Sequence, residues 1–212
     1  MNLIVRQLGI QRYAKTYAAM KNFTATRAID TDDEIWILQH EPVFTQGRAA
    51  NAKHILSPGD IPVVNSDRGG DVTYHGPGQI TAYLLIDLKR RKLGIRKLVK
   101  EIECAILHTL KHWQVSGQTR NGAPGIYVNE AKIASLGLRV RHGCSYHGLS
   151  LNVDMDLSVW QRINPCGLDV AMTHLRDLVD VKIHPRSVAE VLLAHLCTGL
   201  GYTKICSMPA AT

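Results

Sequence analysis

Along residues 95–113 the apolar positions Ile95, Leu98, Val99, Ile102, Ile106 and Leu110 recur every three or four residues. That is the repeat of one α-helical face, and it predicts an amphipathic helix. A second helix is expected over residues 12–28, with Tyr13, Tyr17 and Met20 on one side. Elsewhere the apolar runs are shorter and denser. Residues 34–40 (EIWILQH) read as a strand, and residues 79–88 (QITAYLLIDL) as a nearly continuous apolar strand at the centre of a sheet. Residues 125–128 and 131–140 flank Asn129-Glu130, a pairing that suits a tight hairpin. Residues 144–153 form a further strand. Ser187 followed by Glu190 reads as a capping box that opens a last helix with Val188, Val191, Leu192 and Leu196. Helices and strands alternate irregularly, so the expected fold class is α+β. Stretches 41–62 and 154–172 carry no regular pattern, and compact domains keep such loops mainly for a use.

A chain of 212 residues suits one domain over 1–212, because halves would be small. Its formal charge of +7 is partly concentrated in Lys89-Arg90-Arg91-Lys92, followed by Arg96, Lys97 and Lys100. Such a field favours an acidic partner, either nucleic acid or a small acidic protein; the plain alternative is a solvated surface. The cysteines Cys104, Cys144, Cys166, Cys197 and Cys206 are odd in number and form no C-x-x-C pair, so neither a disulfide framework nor a zinc ribbon is signalled. Cys144 and His147 make one C-x-x-H pair without a second at zinc spacing, and no metal site is expected. No apolar run approaches the ~20 residues that cross a bilayer. The first residues, MNLIVRQLGIQRY, are too polar for a signal peptide. The chain therefore reads as cytoplasmic, without a membrane partner.

Three features carry chemistry. The first is the segment from Arg68 to Gln79, RGGDVTYHGPGQ. Its glycines permit backbone conformations and close ligand approach that a regular helix denies, and its amides are free to face a carbonyl or an anion. His75 within it is a candidate proton relay. The second is Lys132. With strict alternation it shares a face with Ala134, Leu136 and Leu138, while Ile133, Ser135 and Gly137 take the other. A lysine there either snorkels to water or is desolvated, which would make it a usable base or cation. The third is Asn164-Pro165-Cys166-Gly167, where proline and glycine place Cys166 in a tight turn and make it the best nucleophile candidate of the five cysteines.

Together these segments, with Gln46-Gly47-Arg48, Gly125-Ile126-Tyr127-Val128, the run from Lys132 to Gly137 and the run from Tyr146 to Asn152, resemble one family: the octanoyl-acyl carrier protein–protein N-octanoyltransferases, also called lipoate-protein ligase B. The likeness runs from about Ile35 to about Asp177. It implies a mixed β-sheet with flanking helices, similar to the catalytic domain of the biotin and lipoate protein ligases, so that residues 1–212 form a single catalytic domain. It implies Cys166 as nucleophile and Lys132 as its partner. It implies acyl contacts at Arg68, Gly69, Gly70, Asp71, Val72, Thr73, Tyr74 and His75, at Ser135, Leu136 and Gly137, and at Gly148, Leu149 and Ser150. Position 71 alternates between Gln and Asp in the family, so Asp71 fits the pattern; Ser150 stands where alanine is frequent.

The implied reaction moves an octanoyl group from octanoyl-acyl carrier protein to a lysine of lipoyl domains, those of the 2-oxoacid dehydrogenases and of the glycine cleavage H protein. Thioester exchange is nearly balanced and amide formation is downhill, so neither ATP nor any other cofactor is expected. The basic run would face the acidic carrier, and a monomer is expected. Two rivals remain at this level. An ATP-dependent lipoate or biotin ligase on the same fold needs no cysteine, which the Asn-Pro-Cys-Gly segment argues against. A nucleic-acid-binding protein rests on net charge alone, because the two phenylalanines build no stacking platform among basic residues.

Overall fold

The computed structural model describes residues 2–165 and 170–209. The strands are β1 (Asn2–Gln11), β2 (Asp33–His40), β3 (Val43–Gln46), β4 (Val63–Asn65), β5 (Val72–His75), β6 (Gln79–Leu85), β7 (Gln118–Thr119), β8 (Ile126–Val128), β9 (Ala131–Arg141), β10 (Cys144–Asn152) and β11 (Lys204–Pro209). The helices are α1 (Tyr13–Thr26), α2 (Ile95–His112) and α3 (Pro185–Gly199). Among the described residues, eight strands form a sheet in the order β11-β1-β2-β6-β10-β9-β8-β7, and β4-β3-β5 form a small second sheet. The large sheet is mixed: β1 runs parallel to β11 and to β2, whereas β2–β6–β10–β9–β8 are antiparallel. This is the α+β class read from the chain.

Burial on both faces explains why β2 and β6 look apolar rather than alternating. Ile35, Ile37, Ala82 and Leu84 pack with Leu98, Ile102 and Ile106 of α2 and with Val188, Leu192 and Leu196 of α3. Trp36, Leu38, Tyr83 and Leu85 pack with Met20 of α1. A helix thus covers each side of the central strands. Each such fully buried aliphatic side chain stabilises the fold by roughly 1.5–3 kcal/mol.

The hairpin between β8 and β9 turns at Asn129 and Glu130, with φ of 44° and 69°. Two consecutive left-handed residues match the two-residue loop expected there. Two expectations need correction. The stretch 41–62 contains β3, which pairs antiparallel with β5 and parallel with β4, so it is partly sheet. The last helix begins at Pro185, with His184 before it and no side-chain cap. Ser187 therefore lies inside the first turn; proline, whose missing N–H costs nothing at a helix start, marks the boundary instead. Strands β1 and β11 were not anticipated either: β11 lies at the sheet edge with exposed side chains, and β1, paired with both β11 and β2, mixes buried and exposed positions without a continuous apolar run.

The basic run also divides. Arg90 Nη2 lies 2.8 Å from the buried Asp33 Oδ1, which Arg27 shares at 2.8 Å. Arg91 donates to the Leu200 carbonyl and its guanidinium stands 4.1 Å from the Tyr202 ring centroid. These two arginines hold the fold together. Lys89, Lys92, Arg96, Lys97 and Lys100 remain exposed.

Candidate active site

A cavity of about 330 Å³ opens where the glycine-rich segment before β5 meets β9 and β10. That is within the usual size of small-ligand sites, ~300–1,000 Å³. Arg68 to Thr73 and His75 form one wall, Lys132 and Ser135 to Leu138 a second, and His147 to Ser150 a third. Of the residues implied by the resemblance, all but Tyr74 and the undescribed Cys166 line this one space. Tyr74 packs with Phe44 and Trp160 behind the small sheet, because it alternates with Thr73 and His75 along β5. Pro165 reaches the cavity; Cys166 and Gly167 lie outside the described residues.

Lys132 is only 5% exposed. Its place on the wall has a local cause. Tyr127 pairs with Lys132 but Ile126 pairs with Ala134, so β9 carries one extra residue between these pairs. Such a bulge resets the alternation. Ile133 and Ala134 both enter the core, and Lys132 lines the cavity with Ser135, Leu136, Gly137 and Leu138, parted from Ala134. Strict alternation therefore places Leu136 and Leu138 with Lys132 correctly but misplaces Ala134, Ser135 and Gly137. The backbone of Lys132 is clamped as well: its N–H donates to Ala171 and its carbonyl accepts from Thr173. Its Nζ stands 5.6 Å from the Tyr127 ring centroid. Gly125 makes the room: a Cβ there would sit 2.4 Å from Lys132 Cε.

The glycine-rich wall is pinned from behind. Arg68 donates to the Thr45 carbonyl at 2.6 Å and to its hydroxyl at 2.8 Å, tying the segment to β3. The Gly69 N–H donates to the Leu138 carbonyl at 3.1 Å, joining two walls. His75 is buried, and its Nδ1 lies 2.7 Å from Gln79 Oε1, so Nδ1 carries the proton and Nε2 is the free basic nitrogen. Burial, followed by the neighbouring His40 and Arg68, pushes the His75 imidazole well below its ordinary range. His75 is therefore neutral near pH 7, and burial opposes its taking up a proton.

Several wall residues were not anticipated: Tyr13, Thr81, Tyr83, Ile95, Val99 and His147. Thr81 and Tyr83 were read only as part of a core strand. Polar side chains inside the apolar run QITAYLLIDL were the available signal. His147 Nε2 lies 2.9 Å from Asp67 Oδ1, and Tyr146 donates to the other oxygen. Burial works to raise the Asp67 carboxyl, but the bonds from His147, Tyr146 and Tyr17 outweigh it and hold it far below the usual carboxylate range. Burial keeps the His147 imidazole below its ordinary range, with Asp67 opposing. Among the described residues no group of three His, Cys, Asp or Glu is arranged to hold a metal ion.

A mixed sheet flanked by helices, with a glycine-rich wall and a buried lysine facing one acyl-sized cavity, defines the lipoyl and biotin ligase type of fold. Lipoate-protein ligase A bound with ATP superposes with a TM-score of 0.81 at 15% identity, covering 100% of this chain and 90% of that one. Biotin protein ligase from Aquifex aeolicus gives 0.55 at 10% identity, covering 95% and 69%. The lipoyl protein ligase A/B catalytic domain matches residues 12–197, and the chain belongs to that family. Within it the curated relatives are octanoyltransferases: the one from Vibrio cholerae serotype O1 strain O395 is 54% identical over 204 residues, 96% of this chain and 94% of the relative.

Proposed function

We propose that this chain transfers an octanoyl group from octanoyl-acyl carrier protein to the ε-amine of a lipoyl-domain lysine, through a thioester on Cys166 assisted by Lys132. The observation that carries the reading is the buried amine of Lys132 in the wall of the cavity that Pro165, the residue before Cys166, also reaches. Removing a lysine from water carries a cost, which a fold bears where partners balance the charge and the amine has a use.

In the first step the Cys166 thiolate attacks the thioester carbonyl. A carbon–sulfur bond forms, the bond to the carrier's phosphopantetheine sulfur breaks, and that thiol takes up a proton. In the second step the lysine amine attacks the enzyme thioester; an amide forms and the Cys166 thiol is released. Both steps run without ATP or a cofactor. The acceptors are lipoyl domains of 2-oxoacid dehydrogenases and the glycine cleavage H protein, and the enzyme acts as a cytoplasmic monomer of one catalytic domain.

A free thiol of pKa ~8.5 is ~10% ionised at pH ~7.5, so complete ionisation adds at most about tenfold, or ~1.4 kcal/mol. Barrier reductions by enzymes are usually ~8 kcal/mol or more. Lys132, which takes the thiol proton in step one and assists amine deprotonation in step two, therefore supplies only part of the barrier reduction. Positioning and oxyanion donors supply the larger share. Backbone N–H groups of the Ser135–Gly137 strand segment are candidates, and His75, which burial holds neutral, ranks second to Lys132 as a proton relay or orienting group. The wall residues Arg68 to Gly70, Val72, Thr73, Ser135 to Gly137 and Gly148 to Ser150 hold the acyl chain.

Intact-protein mass spectrometry after mixing with octanoyl-acyl carrier protein tests this. One octanoyl group should appear on the parent, be discharged by a lipoyl domain, and be missing from Cys166→Ala. An adduct that survives in that variant means a different nucleophile. Product formed from free octanoate and ATP would revive an adenylating ligase.

A further inference from the structure

The carboxylate of Asp71 stands in the cavity wall but is engaged at both oxygens by the protein itself. Oδ1 accepts from the N–H of Val72 at 2.7 Å and of Asn51 at 3.1 Å; Oδ2 lies 2.5 Å from His54 Nδ1. An octanoyl thioester offers no hydrogen-bond donor, so a carboxylate has nothing to accept from it. The partner His54 points to another use. It closes the short 3₁₀ turn Ala52–His54, which Asn51 opens by accepting from the Lys53 N–H at 3.0 Å. The same turn holds the chain that runs into Cys166. The His54 carbonyl accepts from the Asn164 N–H at 2.7 Å, Ile55 and Ile163 form an antiparallel bridge, and the N–H groups of Leu56 and Ser57 donate to Arg162 at 2.9 and 3.0 Å.

One side-chain pair and one main-chain bond thus connect the acyl wall with the backbone two residues before Cys166. We propose that the Asp71–His54 pair is a positioning device for the transfer: it locks residues 51–57 against the cavity wall and through them sets where residues 162–165 deliver the sulfur. His54 and Asp71 are positioning residues, not catalytic ones. The inference rests on Cys166 being the nucleophile. Geometry of this kind matters because a displacement of ~1 Å at a reacting group costs about a hundredfold in rate.

The test combines His54→Ala, His54→Gln, Asp71→Asn and the His54→Ala/Asp71→Asn pair with two readouts. Hydrogen exchange of peptides 50–57 and 160–165 should rise together in His54→Ala while β10 stays protected. For octanoyl transfer, kcat should fall by about tenfold or more, with KM for octanoyl-acyl carrier protein within about twofold of the parent. His54→Gln, whose amide still donates to the carboxylate, should recover part of the loss. The double variant should be no worse than His54→Ala alone, as for two residues acting through one contact. Unchanged exchange at 160–165 would overturn the proposal. So would a loss confined to KM, which would make Asp71 a substrate contact. If the parent forms no octanoyl adduct on Cys166, the nucleophile assignment fails separately, and exchange still decides whether the pair couples the two segments.

Discussion

His40 is fully buried; its Nδ1 lies 2.9 Å from the Gln11 carbonyl and its Nε2 2.6 Å from the Tyr83 hydroxyl. Burial pushes its imidazole down to about 4, against an ordinary value of 6.5. In the unfolded chain it takes up a proton near pH 6.5, while the folded protein resists until pH 4. The unfolded state therefore binds more protons in between, and stability present above about pH 6.5 is lost as pH falls to about 4. For His40 alone that amounts to about 3 kcal/mol, and His75 and His147 act in the same direction. Asp67 acts with the same sign at lower pH: its depressed carboxyl contributes stability that is lost only in stronger acid, below the ordinary carboxylate value of ~3.9. Calorimetry should thus show Tm falling through the histidine window in the parent and falling less in His40→Asn. A parent Tm that is flat down to about pH 5 would refute the neutral-histidine account. None of this was visible in the chain, where ten histidines look alike and only burial separates them.

At the scale of the element, Gly125 just before β8 decides whether Lys132 keeps its place. Its φ is +137°, and an added Cβ would meet Lys132 Cε at 2.4 Å and the Ala134 carbonyl at 2.5 Å. Gly125→Ala therefore strains the backbone and displaces the amine together. We expect transfer to fall by at least about tenfold, the scale on which lost positioning is felt. The variant should stay folded, because strain at one such residue is of order 1–3 kcal/mol. Activity within twofold of the parent would mean the lysine's position is not limiting; Tm measured alongside separates this from general damage. Here the chain was half legible. Periodicity located α1, α2, β2, β6 and the β8–β9 hairpin to within a few residues, because long amphipathic faces and two-residue turns leave local patterns. It failed at β9, where one extra residue flips the register and only the pairing partner reveals it. It also failed at β1, β3 and β11, whose existence depends on strands far away in the chain. Lys132 stands out by its residue type, with Leu136 and Leu138 as neighbours on the cavity side, but not with Ser135 and Gly137, which the bulge brings beside it.

Across the whole molecule, the proposed transfer has two protein substrates, and the surface around the cavity must accept the donor. Ile95 and Val99 of α2 line the cavity, and Arg96, Lys97 and Lys100 project from that same helical turn into solvent. Arg90 and Arg91, taken up in the contacts with Asp33, Tyr202 and Leu200, are not available to a partner, so the basic run narrows to the start of α2 and its approach. An acidic carrier drawn to that turn would bring its phosphopantetheine arm to the cavity mouth. Exposed charges interact over ~10 Å at 0.1 M salt and over ~30 Å at 0.01 M, so kcat/KM with octanoyl-acyl carrier protein should drop roughly tenfold across that range. Arg96→Glu/Lys97→Glu/Lys100→Glu should raise KM for the carrier by a similar factor and remove most of the salt dependence. With octanoyl-pantetheine as donor, which carries the acyl thioester but no protein, the triple variant should match the parent. Equal losses with both donors would show that the charges act on the cavity rather than on docking. Salt-independent kcat/KM in the parent would place the carrier on another face, and the exposed lysines would then be solvated surface and nothing more.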